Sequence, residues 1–488
     1  MASEGVSRAA DGTPQGCIGL AEDPNRAHRF AAWVLVVAFL FVLCADTLLG
    51  VVFRPYLDGG TGDTTVWDVL ILIFAGSPER LPLDSWEPMM TAFTWLRDHG
   101  NGNVYDAVFF TQRVKFQYPL TSLLVMEAMS AVGLLHLRVY ALANLLMVAA
   151  AAVGMALLMR DLALSMGYAR TVRDGIGRLT LAALGIVGTL CFYPIVKAFA
   201  VGQIQVWLNT AFIFAALFFL RDRRALAGAL LGASTLIKPQ MSLFLVWALI
   251  RREWRFAAGW AAVVGPGFAA ACALYGFGPS LHYLDVLSFL GQHGESYFPN
   301  QTVNGLLHRL LQNGPNLLST TNGDAEWRGS AFAPYHPLVH AVTLLSGLLF
   351  FLFGLLWQFG GSARAGDRLA SFLVAGLCFT MGSPISWVPH YGVMLPAFAF
   401  LLFVLIDRAR RGIPHGLRDL LVLGVAFAIM SNDFFHPLSS LADGPLNILQ
   451  SYQFFTGLVV LLLLVATDGR TAPSHAQRGQ GVISRTYD

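Results

Sequence analysis

Charged side chains are scarce in this 488-residue chain. Asp, Glu, Lys and Arg make up 12% of it, whereas about a quarter of a typical soluble domain is charged. Hydrophobic residues account for 56% of the chain, and the mean hydropathy is +0.59. So little polar surface excludes an ordinary soluble domain. The composition predicts a polytopic membrane protein.

Cysteine is also rare, and its spacing points to no special chemistry. The chain has five cysteines, most of them within apolar stretches, and no two form a Cys-x-x-Cys pair. This pattern argues against a disulfide framework and against a thiolate metal site. No set of Asp, Glu and His residues has clear ligand spacing either. The sequence therefore predicts no metal and no other cofactor.

The excess of positive charge is small. The formal net charge is +3, and the arginines are confined to short segments between apolar runs. We interpret them as signals of membrane orientation rather than as a surface for DNA or RNA. Nucleic acid is therefore not expected as a partner.

Long apolar runs are what the sequence has in abundance. The first, at 30–53, is long enough to cross a membrane, since about 20 apolar residues span a core of roughly 30 Å. Together the runs predict an all-α fold of roughly 11 to 13 transmembrane helices. Further runs lie at 118–135, 139–158, 179–200, 204–220, 225–237, 241–250, 256–277, 338–358, 369–381, 391–406, 417–430 and 454–466.

Polar segments divide the chain around these runs. Residues 1–29 are predicted as a cytoplasmic segment before a retained signal anchor, and 30–467 as one transmembrane domain. Residues 468–488 have too little apolar content to fold and are predicted as a disordered cytoplasmic tail. Two larger loops, at 54–117 and 278–337, are predicted on the outer side. The first contains a short apolar piece at 66–75 that suits the membrane interface.

Basic residues in short loops orient the spans, because Lys and Arg favour the cytoplasmic side. One region breaks the alternation. The basic stretch at 160–178 is predicted inside, whereas two simple crossings after the first loop would place it outside. Either the run at 118–135 does not cross fully, or the run at 179–200 is broken into two short helices at Tyr193-Pro194. The arginine clusters that mark the inner side are Arg221/Arg223/Arg224, Arg251/Arg252/Arg255, Arg364/Arg368 and Arg408/Arg410/Arg411.

The first outer loop contains carboxylates that could serve chemistry. Asp84 begins the stretch Asp84-Ser-Trp-Glu87, and Asp106 follows Val104-Tyr105 further along. A carboxylate in this loop can act as a general base that deprotonates an acceptor hydroxyl as it attacks a sugar carbon. The alternative is ordinary, because an Asp in a loop is more often a turn or helix-cap residue.

Two short motifs end apolar runs on the same predicted face. In Gly202-Gln203 the amide suits hydrogen bonds to hydroxyl or phosphate groups, the alternative being a helix-breaking glycine beside a snorkelling amide. In Lys238-Pro239 the ammonium needs an anion or water, and a lipid-linked phosphate is a natural partner. Snorkelling to the headgroups is the alternative for the lysine.

The second outer loop carries adjacent amides and a guanidinium. The segment Phe298-Pro-Asn300-Gln301-Thr302 is followed by Arg309. The amides suit a sugar and the guanidinium suits a phosphate. Alternatively, the same residues form a generic entry from loop to helix, with Thr or Asn as a cap.

The densest polar stretch is Met381-Gly-Ser-Pro-Ile-Ser-Trp-Val-Pro-His-Tyr391, at the end of an apolar run. Its two prolines interrupt helix, which a bilayer tolerates only where the freed carbonyls face protein or a water-filled cavity. We predict that His390 faces such a cavity. The alternative is an interfacial turn in which Trp387 and Tyr391 belong to the aromatic belt.

The order of these motifs resembles glycosyltransferase family 87. That family consists of integral-membrane GT-C enzymes that depend on polyprenyl-phosphate mannose, typified by mycobacterial phosphatidylinositol-mannoside mannosyltransferases. The similarity extends over about 84–391. In chain order the motifs are the Asp84 loop, Tyr118-Pro, Gly-Gln203, Lys238-Pro, Asn300-Gln301-Thr and Ser-Pro-Ile-Ser-Trp387-x-x-His390.

The resemblance implies an inverting transferase whose catalytic base is Asp84. Glu87 and Asp106 remain reserves for this role, because Glu87-Pro88 replaces the family's Val-Tyr and extra residues precede Tyr105. The family's first histidine after the tryptophan is also replaced, and only His390 is kept. The implied substrate-binding residues are Tyr118, Gln203, Lys238, Asn300, Gln301, Arg309, Trp387 and His390. Among them Lys238, Arg309 and His390 would hold phosphate, and Gln203, Asn300 and Gln301 would orient sugar.

The implied donor is a polyprenyl-phosphate sugar, with mannose favoured. The implied acceptor is a glycolipid or envelope glycan on the outer face of a bacterial plasma membrane. Transfer of arabinofuranose from a polyprenyl-phosphate pentose is an alternative with the same architecture. A lipid-linked-sugar transporter or flippase is another, and it should show inverted repeats in its hydropathy. A non-catalytic scaffold would have no reason to gather polar residues on one face.

Overall fold

A computed structural model describes residues 24–53, 83–100, 102–311, 332–358, 365–434 and 441–467, together with positions 66, 70, 73 and 438. Several predicted segments lie outside the described residues, wholly or in part. They are residues 1–23, the interfacial piece at 66–75 apart from three positions, residues 312–331 of the second loop, and the tail at 468–488.

Within the described ranges the fold is helical and contains no strand, only an isolated antiparallel bridge between Asn300 and Trp387. The nineteen α-helices there are α1 (Pro24–Phe53), α2 (Trp86–His99), α3 (Leu124–Ala131), α4 (Leu137–Ser165), α5 (Ala169–Arg173), α6 (Gly175–Leu190), α7 (Tyr193–Ala200), α8 (Gln205–Leu220), α9 (Arg224–Ile237), α10 (Leu243–Ile250), α11 (Trp254–Tyr275), α12 (Phe277–Leu281), α13 (Tyr283–His293), α14 (Val303–Leu311), α15 (Pro337–Leu356), α16 (Ala365–Met381), α17 (Leu395–Arg410), α18 (Gly416–Met430) and α19 (Tyr452–Ala466). Short 3₁₀ segments lie at Leu120–Leu123, Pro239–Ser242, Val388–Met394 and Pro445–Ser451, and a π-helix at Tyr105–Thr111.

The prediction of an all-α polytopic membrane protein is confirmed. Six described helical stretches are long and apolar enough to cross a membrane, one bent pair of helices passes the same test, and five shorter apolar helices accompany them. By length and composition the described part therefore has six spans, or seven with the bent pair, and the predicted count of roughly 11 to 13 stays a prediction. The six long stretches are Arg26–Ala45, Leu137–Ser165, Trp254–Tyr275, Pro337–Leu356, Val388–Arg410 and Pro445–Ala466. The first helix begins at Pro24, earlier than the predicted boundary at residue 30.

The region that broke the alternation of loops contains two irregular elements. The helical stretch Leu120–Ala131 is short, and twelve residues of α-helix extend only about 18 Å. Helices α6 and α7 meet at an angle of 52°. Pro194 lies in the first turn of α7, where its missing N–H is tolerated. Both irregularities that the sequence left open are therefore present.

Small residues bring neighbouring helices into close contact. A Cβ built on Gly228 of α9 would lie 2.0 Å from the Phe256 carbonyl oxygen, and one on Gly259 of α11 would lie 2.0 Å from the Ala225 oxygen. Any larger side chain there would push α9 and α11 apart. Close backbone approach at small residues is how membrane helices associate, because lipid gives little hydrophobic drive between them.

An aromatic cluster forms the centre of the bundle. Phe372 stacks on Phe212 and on Phe219, with ring centroids 5.2 and 5.0 Å apart. Phe244 and Trp247 of α10 pack on the same ring at 5.0 and 5.9 Å. All five side chains are buried. Their packing joins α8, α10 and α16.

The two ends of this bundle differ. At one end Arg224 and Arg368 both approach Glu253, at 3.9 and 3.7 Å, so that three of the arginine-marked turns meet. At the other end the helices are interrupted, at Gly202 between α7 and α8 and at Lys238 after α9. The segment between α16 and α17 interrupts them as well. These interruptions surround a cavity.

Candidate active site

A cavity of about 450 Å³ lies among the interrupted helix ends. This is within the range of small-molecule sites, about 300 to 1,000 Å³. Its polar lining comes from the first loop, the starts of α8 and α13, the end of α9 and the segment before α17. The ionisable and amide side chains that line it are Asp84, Lys115, Gln117, Tyr118, Gln203, Gln205, Lys238, Gln240, Tyr283 and His390, and Trp387 is next to them.

Asp84 is held against the turn between α7 and α8. The Gln203 Nε2 donates to Asp84 Oδ2 at 2.6 Å, and the Asp84 backbone N donates to the Val201 oxygen at 3.1 Å. Gly202 has φ of +65°, a conformation that glycine adopts without cost. Ser85 Oγ accepts from the Ile204 backbone N at 3.1 Å. The first loop is therefore fixed to the start of α8, with the carboxylate at the cavity.

Asp84 is exposed to the cavity, and the protein around its carboxyl removes part of the water that would hydrate the charged form. This desolvation raises its pKa above the ordinary aspartate value, and the charge of Glu295 acts in the same direction. The hydrogen bond from Gln203 and the charges of Lys115 and Lys238 oppose that change. A carboxylate with a raised pKa is a stronger base, as a proton acceptor requires.

Tyr118 supports the same wall. Its hydroxyl lies 2.8 Å from Ser85 Oγ, and its carbonyl oxygen accepts from the Tyr105 hydroxyl at 2.9 Å. Burial raises the pKa of the Tyr118 phenol, so the group stays neutral near pH 7. It can therefore donate or accept a hydrogen bond at the cavity.

Lys238 and His390 form the opposite wall. Lys238 ends α9 in an extended conformation, and Pro239 begins the next turn. Its Nζ is in direct contact with His390 Nε2. The backbone N of Trp387 donates to His390 Nδ1 at 2.9 Å. Because Nδ1 accepts that bond, the neutral ring carries its proton on Nε2, the atom that faces the lysine.

Two charged residues of the site were missed in the sequence. Glu295 is fully buried, and its Oε1 accepts from Lys115 Nζ at 2.5 Å. Its Oε2 accepts from Trp387 Nε1 at 2.5 Å. The available signal was a carboxylate just before Phe298-Pro-Asn300 and a lysine just before Tyr118-Pro. Neither belonged to a motif that spacing alone would single out.

Three residues predicted to bind substrate do not line the cavity. Asn300, Gln301 and Arg309 are fully buried. The Asn300 amide donates to the backbone oxygens of Glu295 and Pro384, at 3.0 and 3.2 Å. The Gln301 amide donates to backbone oxygens at 298 and 450, both at 2.8 Å. These amides join loops to one another. They do not lie at the substrate-binding position that was predicted for them.

Arg309 is fastened in the same way. Its Nη1 donates to backbone oxygens at 297, 298 and 300, the closest at 2.9 Å, and its Nη2 to Ser451 Oγ at 2.6 Å. The guanidinium therefore joins the second loop to the segment before α19. The geometry does not support the predicted role of Arg309 at the phosphate, because Arg309 does not line the cavity and both of its Nη atoms donate to the protein, although its buried Nε has no hydrogen-bond partner among the described residues.

The reserve carboxylates also lie away from the cavity lining. Glu87 is in the first turn of α2 and Asp106 in the first turn of the π-helix, and both are exposed. Acidic residues are favoured in first turns. Across the described ranges no group of three or more His, Cys, Asp or Glu is placed to hold a metal. The expectation that none is needed stays a prediction.

Comparison with known proteins identifies the relatives of this chain. One curated relative, from Mycobacterium tuberculosis (strain ATCC 25618 / H37Rv), is named polyprenol-phosphate-mannose-dependent alpha-(1-2)-phosphatidylinositol mannoside mannosyltransferase. It is 28% identical over 255 residues. The match spans only about half of either protein, 50% of this chain and 51% of the relative. No solved structure matches the chain.

A family comparison covers more of the chain. Residues 116–384 match the model of glycosyltransferase family 87, a stretch that includes Tyr118, Gln203, Lys238 and Glu295. Asp84 lies before it, and Trp387 and His390 lie just after it. The match extends over more than half of the 488 residues and bears out the resemblance of the motifs. This chain therefore belongs to glycosyltransferase family 87.

Proposed function

We propose that this protein is an inverting glycosyltransferase that moves a sugar from a polyprenyl-phosphate donor to a hydroxyl of a glycolipid or envelope glycan. Mannose is the favoured sugar, in keeping with the name of the mycobacterial relative. The observation that carries the proposal is a single cavity with the carboxylate of Asp84 on one wall and Lys238 with His390 on another. A base and an anion site are the two groups that this reaction needs.

The contact between Lys238 and His390 supports a phosphate at that wall. In its ammonium form Lys238 has only donors. The His390 ring carries its proton on Nε2, because Nδ1 accepts from Trp387 N. Nζ and Nε2 lie side by side, so an anionic oxygen that approaches both from the cavity would accept from the ammonium and from the ring N–H. A phosphate oxygen would also favour the ammonium form of the lysine.

Asp84 supplies the other half of the reaction. The acceptor hydroxyl gives its proton to the Asp84 carboxylate while its oxygen forms a bond to the anomeric carbon of the sugar. The bond from that carbon to the phosphate oxygen breaks on the opposite side, so the configuration inverts. The electron pair of the broken bond goes to the phosphate oxygen. Negative charge therefore develops on the departing polyprenyl phosphate, where Lys238 and His390 stabilise it. The proposal requires no metal ion, because Lys238 supplies positive charge and His390 supplies a hydrogen-bond donor.

The cavity is proposed to face the outer side of a bacterial plasma membrane. Lys and Arg accumulate on the cytoplasmic side, and the arginine-marked turns joined through Glu253 lie at the end where helices are not interrupted. The polyprenyl chain would lie in the bilayer with its phosphate at the cavity. The second loop, whose described part contributes Glu295, would border the same entrance.

A transfer assay tests the proposal. Purified protein is incubated with polyprenyl-phosphate mannose and extracted envelope lipids, and the products are identified by mass spectrometry. The expected result is a lipid or glycan heavier by one hexose, together with free polyprenyl phosphate. A parallel reaction with polyprenyl-phosphate arabinofuranose tests the pentose alternative. Movement of donor across proteoliposomes without any transfer would overturn the proposal in favour of a transporter.

A further inference from the structure

Glu295 is a carboxylate at full burial that receives one donor on each of its oxygens. Lys115 comes from the end of the first loop and Trp387 from the segment before α17, and both bonds are 2.5 Å long. Three segments far apart in sequence therefore meet at this side chain. Both of its partners line the cavity, whereas Glu295 lies behind them.

The backbone around Glu295 is built to hold it there. Gly294 has φ of +63°, and a Cβ at this position would lie 1.9 Å from Asn304 Oδ1. The same Asn304 oxygen accepts from the Glu295 backbone N at 3.2 Å, and the Glu295 carbonyl oxygen accepts from Asn300 Nδ2 at 3.0 Å. Asn300, one of the amides that the resemblance assigned to a sugar, therefore helps Asn304 to fix the main chain of a buried acid.

We propose that Glu295 is a positioning residue for the transfer reaction, which holds Lys115 and the Trp387 indole in place at the cavity wall. This inference rests on the proposed function. Both partners are donors, so the site needs a side chain with two accepting oxygens. A carboxylate meets that need, and its charge compensates the lysine, as burial of either ion requires.

The ion pair between Lys115 and Glu295 also influences the pKa of the catalytic base, Asp84. The charge of Lys115 lowers the pKa of Asp84, and the charge of Glu295 raises it. While both are present these effects oppose each other. Lys238 lowers the same pKa and stays constant in the experiment below. A positioning role of the pair therefore leaves a signature in the pH profile, which a purely structural role would not.

The experiment compares Glu295→Gln, Lys115→Met and the double variant. Glutamine has a single accepting oxygen, so it can serve Trp387 or Lys115 but not both. We expect kcat/KM for polyprenyl-phosphate mannose to fall about tenfold to a hundredfold in each single variant, as for the loss of a charge-assisted hydrogen bond. The double variant should be no worse than the weaker single variant, because the two residues act as one unit.

The acidic limb of the pH–rate profile should move in opposite directions in the two single variants. Glu295→Gln leaves the lysine charge uncompensated near Asp84, so the limb moves to lower pH. Lys115→Met removes that charge, so the limb moves to higher pH. In the double variant it should lie near the wild-type position. Infrared difference titration of the Asp84 carboxyl, with Asp84→Asn as the blank, should report the same order without turnover.

The matched control is Asp161→Asn, which breaks another close ion pair, to Arg221 at 2.5 Å. Arg221 follows the end of α8, about 24 Å along that helix from the cavity. This variant should keep the acidic limb of the wild-type rate profile.

If Glu295→Gln lowers thermal stability but leaves both the limb and the donor KM unchanged, the inference is overturned. If it does not fold, Lys115→Met decides alone, because an unmoved limb and an unchanged kcat/KM there also overturn it. If the wild type transfers no sugar, the proposed function fails, and the infrared titration still decides the inference.

Discussion

Two groups of polar side chains that look alike in the sequence have opposite surroundings in the structure. Asp84, Lys238 and His390 face a cavity, where the Asp84 carboxylate accepts from the Gln203 side chain and Lys238 contacts the His390 ring. Asn300 and Arg309 are fully buried, and most of their donors end on backbone oxygens. Each group gathers several segments at the same end of the bundle. Only the first leaves polar atoms directed at a space large enough for a substrate.

The difference shows how a membrane enzyme divides its polar residues. Non-helical backbone at the end of a bundle has carbonyls without helical partners, and leaving them buried and unpaired is costly. The amides and the guanidinium of the second loop satisfy those carbonyls. The loop can then hold Glu295, and through it Trp387, at a fixed place. The cavity residues are free to meet a substrate because others fasten the chain.

Asp84→Asn tests the cavity group of polar residues, and we expect the largest effect from this variant. The amide is nearly isosteric with the carboxylate but cannot take up the acceptor's proton, so turnover should fall by about 10² to 10⁴. Donor binding should be largely retained, because the phosphate end of the cavity is unaltered. Turnover with polyprenyl-phosphate mannose and thermal unfolding of the same sample separate the two effects.

Glu87→Gln and Asp106→Asn are matched controls for that experiment. Both remove a carboxylate from the same part of the chain, and both side chains are exposed away from the cavity lining. They should keep turnover near the wild-type value. Loss of activity in one of them with retention in Asp84→Asn would move the base to that residue. Activity in all three would remove the general-base mechanism.

Arg309→Met tests the buried group of polar residues, and we expect it to lower the stability of the fold. It removes the donor to the Asn300 backbone oxygen and to Ser451 Oγ, whereas the oxygens at 297 and 298 also accept from Asn300 N and Gln301 Nε2. A buried acceptor left unpaired costs about 1 to 3 kcal/mol, so the loss should be several kcal/mol. Thermal unfolding in detergent measures it, and the donor KM of the folded fraction should change much less.

Arg309→Lys sharpens this test. Lysine keeps the positive charge but lacks the planar fork that reaches several acceptors. If Arg309 fastens loops, the lysine variant should remain clearly destabilised. A lysine variant that restores donor binding, with thermal stability unchanged in both variants, would instead return Arg309 to the phosphate.

Lys238→Met tests the phosphate end with a smaller expected effect. The variant keeps the aliphatic stem and loses the cation, so a phosphate oxygen would keep His390 and lose the lysine. Affinity for a polyprenyl phosphate should fall about tenfold to a hundredfold, the range for a hydrogen bond to a charged group. Lys197→Met removes the same charge from a residue outside the cavity lining and serves as control. Equal affinity of Lys238→Met and wild type in a titration would leave Lys238 as a snorkelling residue.

The sequence predicted the fold well because apolar runs and helix-breaking residues act locally. The break at Tyr193-Pro194 and the end of α9 at Lys238 both lie where the residue types indicate. The site was harder to predict, since its meaning depends on partners far along the chain. Glu295 meets Lys115, which lies 180 positions away, and no spacing rule connects them. Asn300 and Gln203 are both amides beside a turn, and only the fold decides which of them faces a cavity.

The smallest expected effect concerns Gln203, which touches the base without taking part in proton transfer. Its amide donates to Asp84 Oδ2 at 2.6 Å and thereby lowers the pKa of that carboxyl, against the larger effect of desolvation. Gln203→Met removes the donor and keeps the length of the side chain, so the pKa should rise further. Asp84 acts as a base only when ionised, and its ionised fraction falls as pH is lowered through this pKa. The acidic limb of kcat/KM should therefore lie above the ordinary aspartate range in the wild type, and higher still in the variant. A hydrogen bond from a neutral amide to a carboxylate contributes about 1.5 to 3 kcal/mol, so the limb should move by about one to two pH units at most, which is best measured as a full pH profile. Gln205→Met, at a neighbouring lining position with no contact to Asp84 among the described bonds, should leave the limb in place. A limb that does not move in Gln203→Met, or that moves equally in Gln205→Met, would mean that Asp84 is not the group whose ionisation limits the rate.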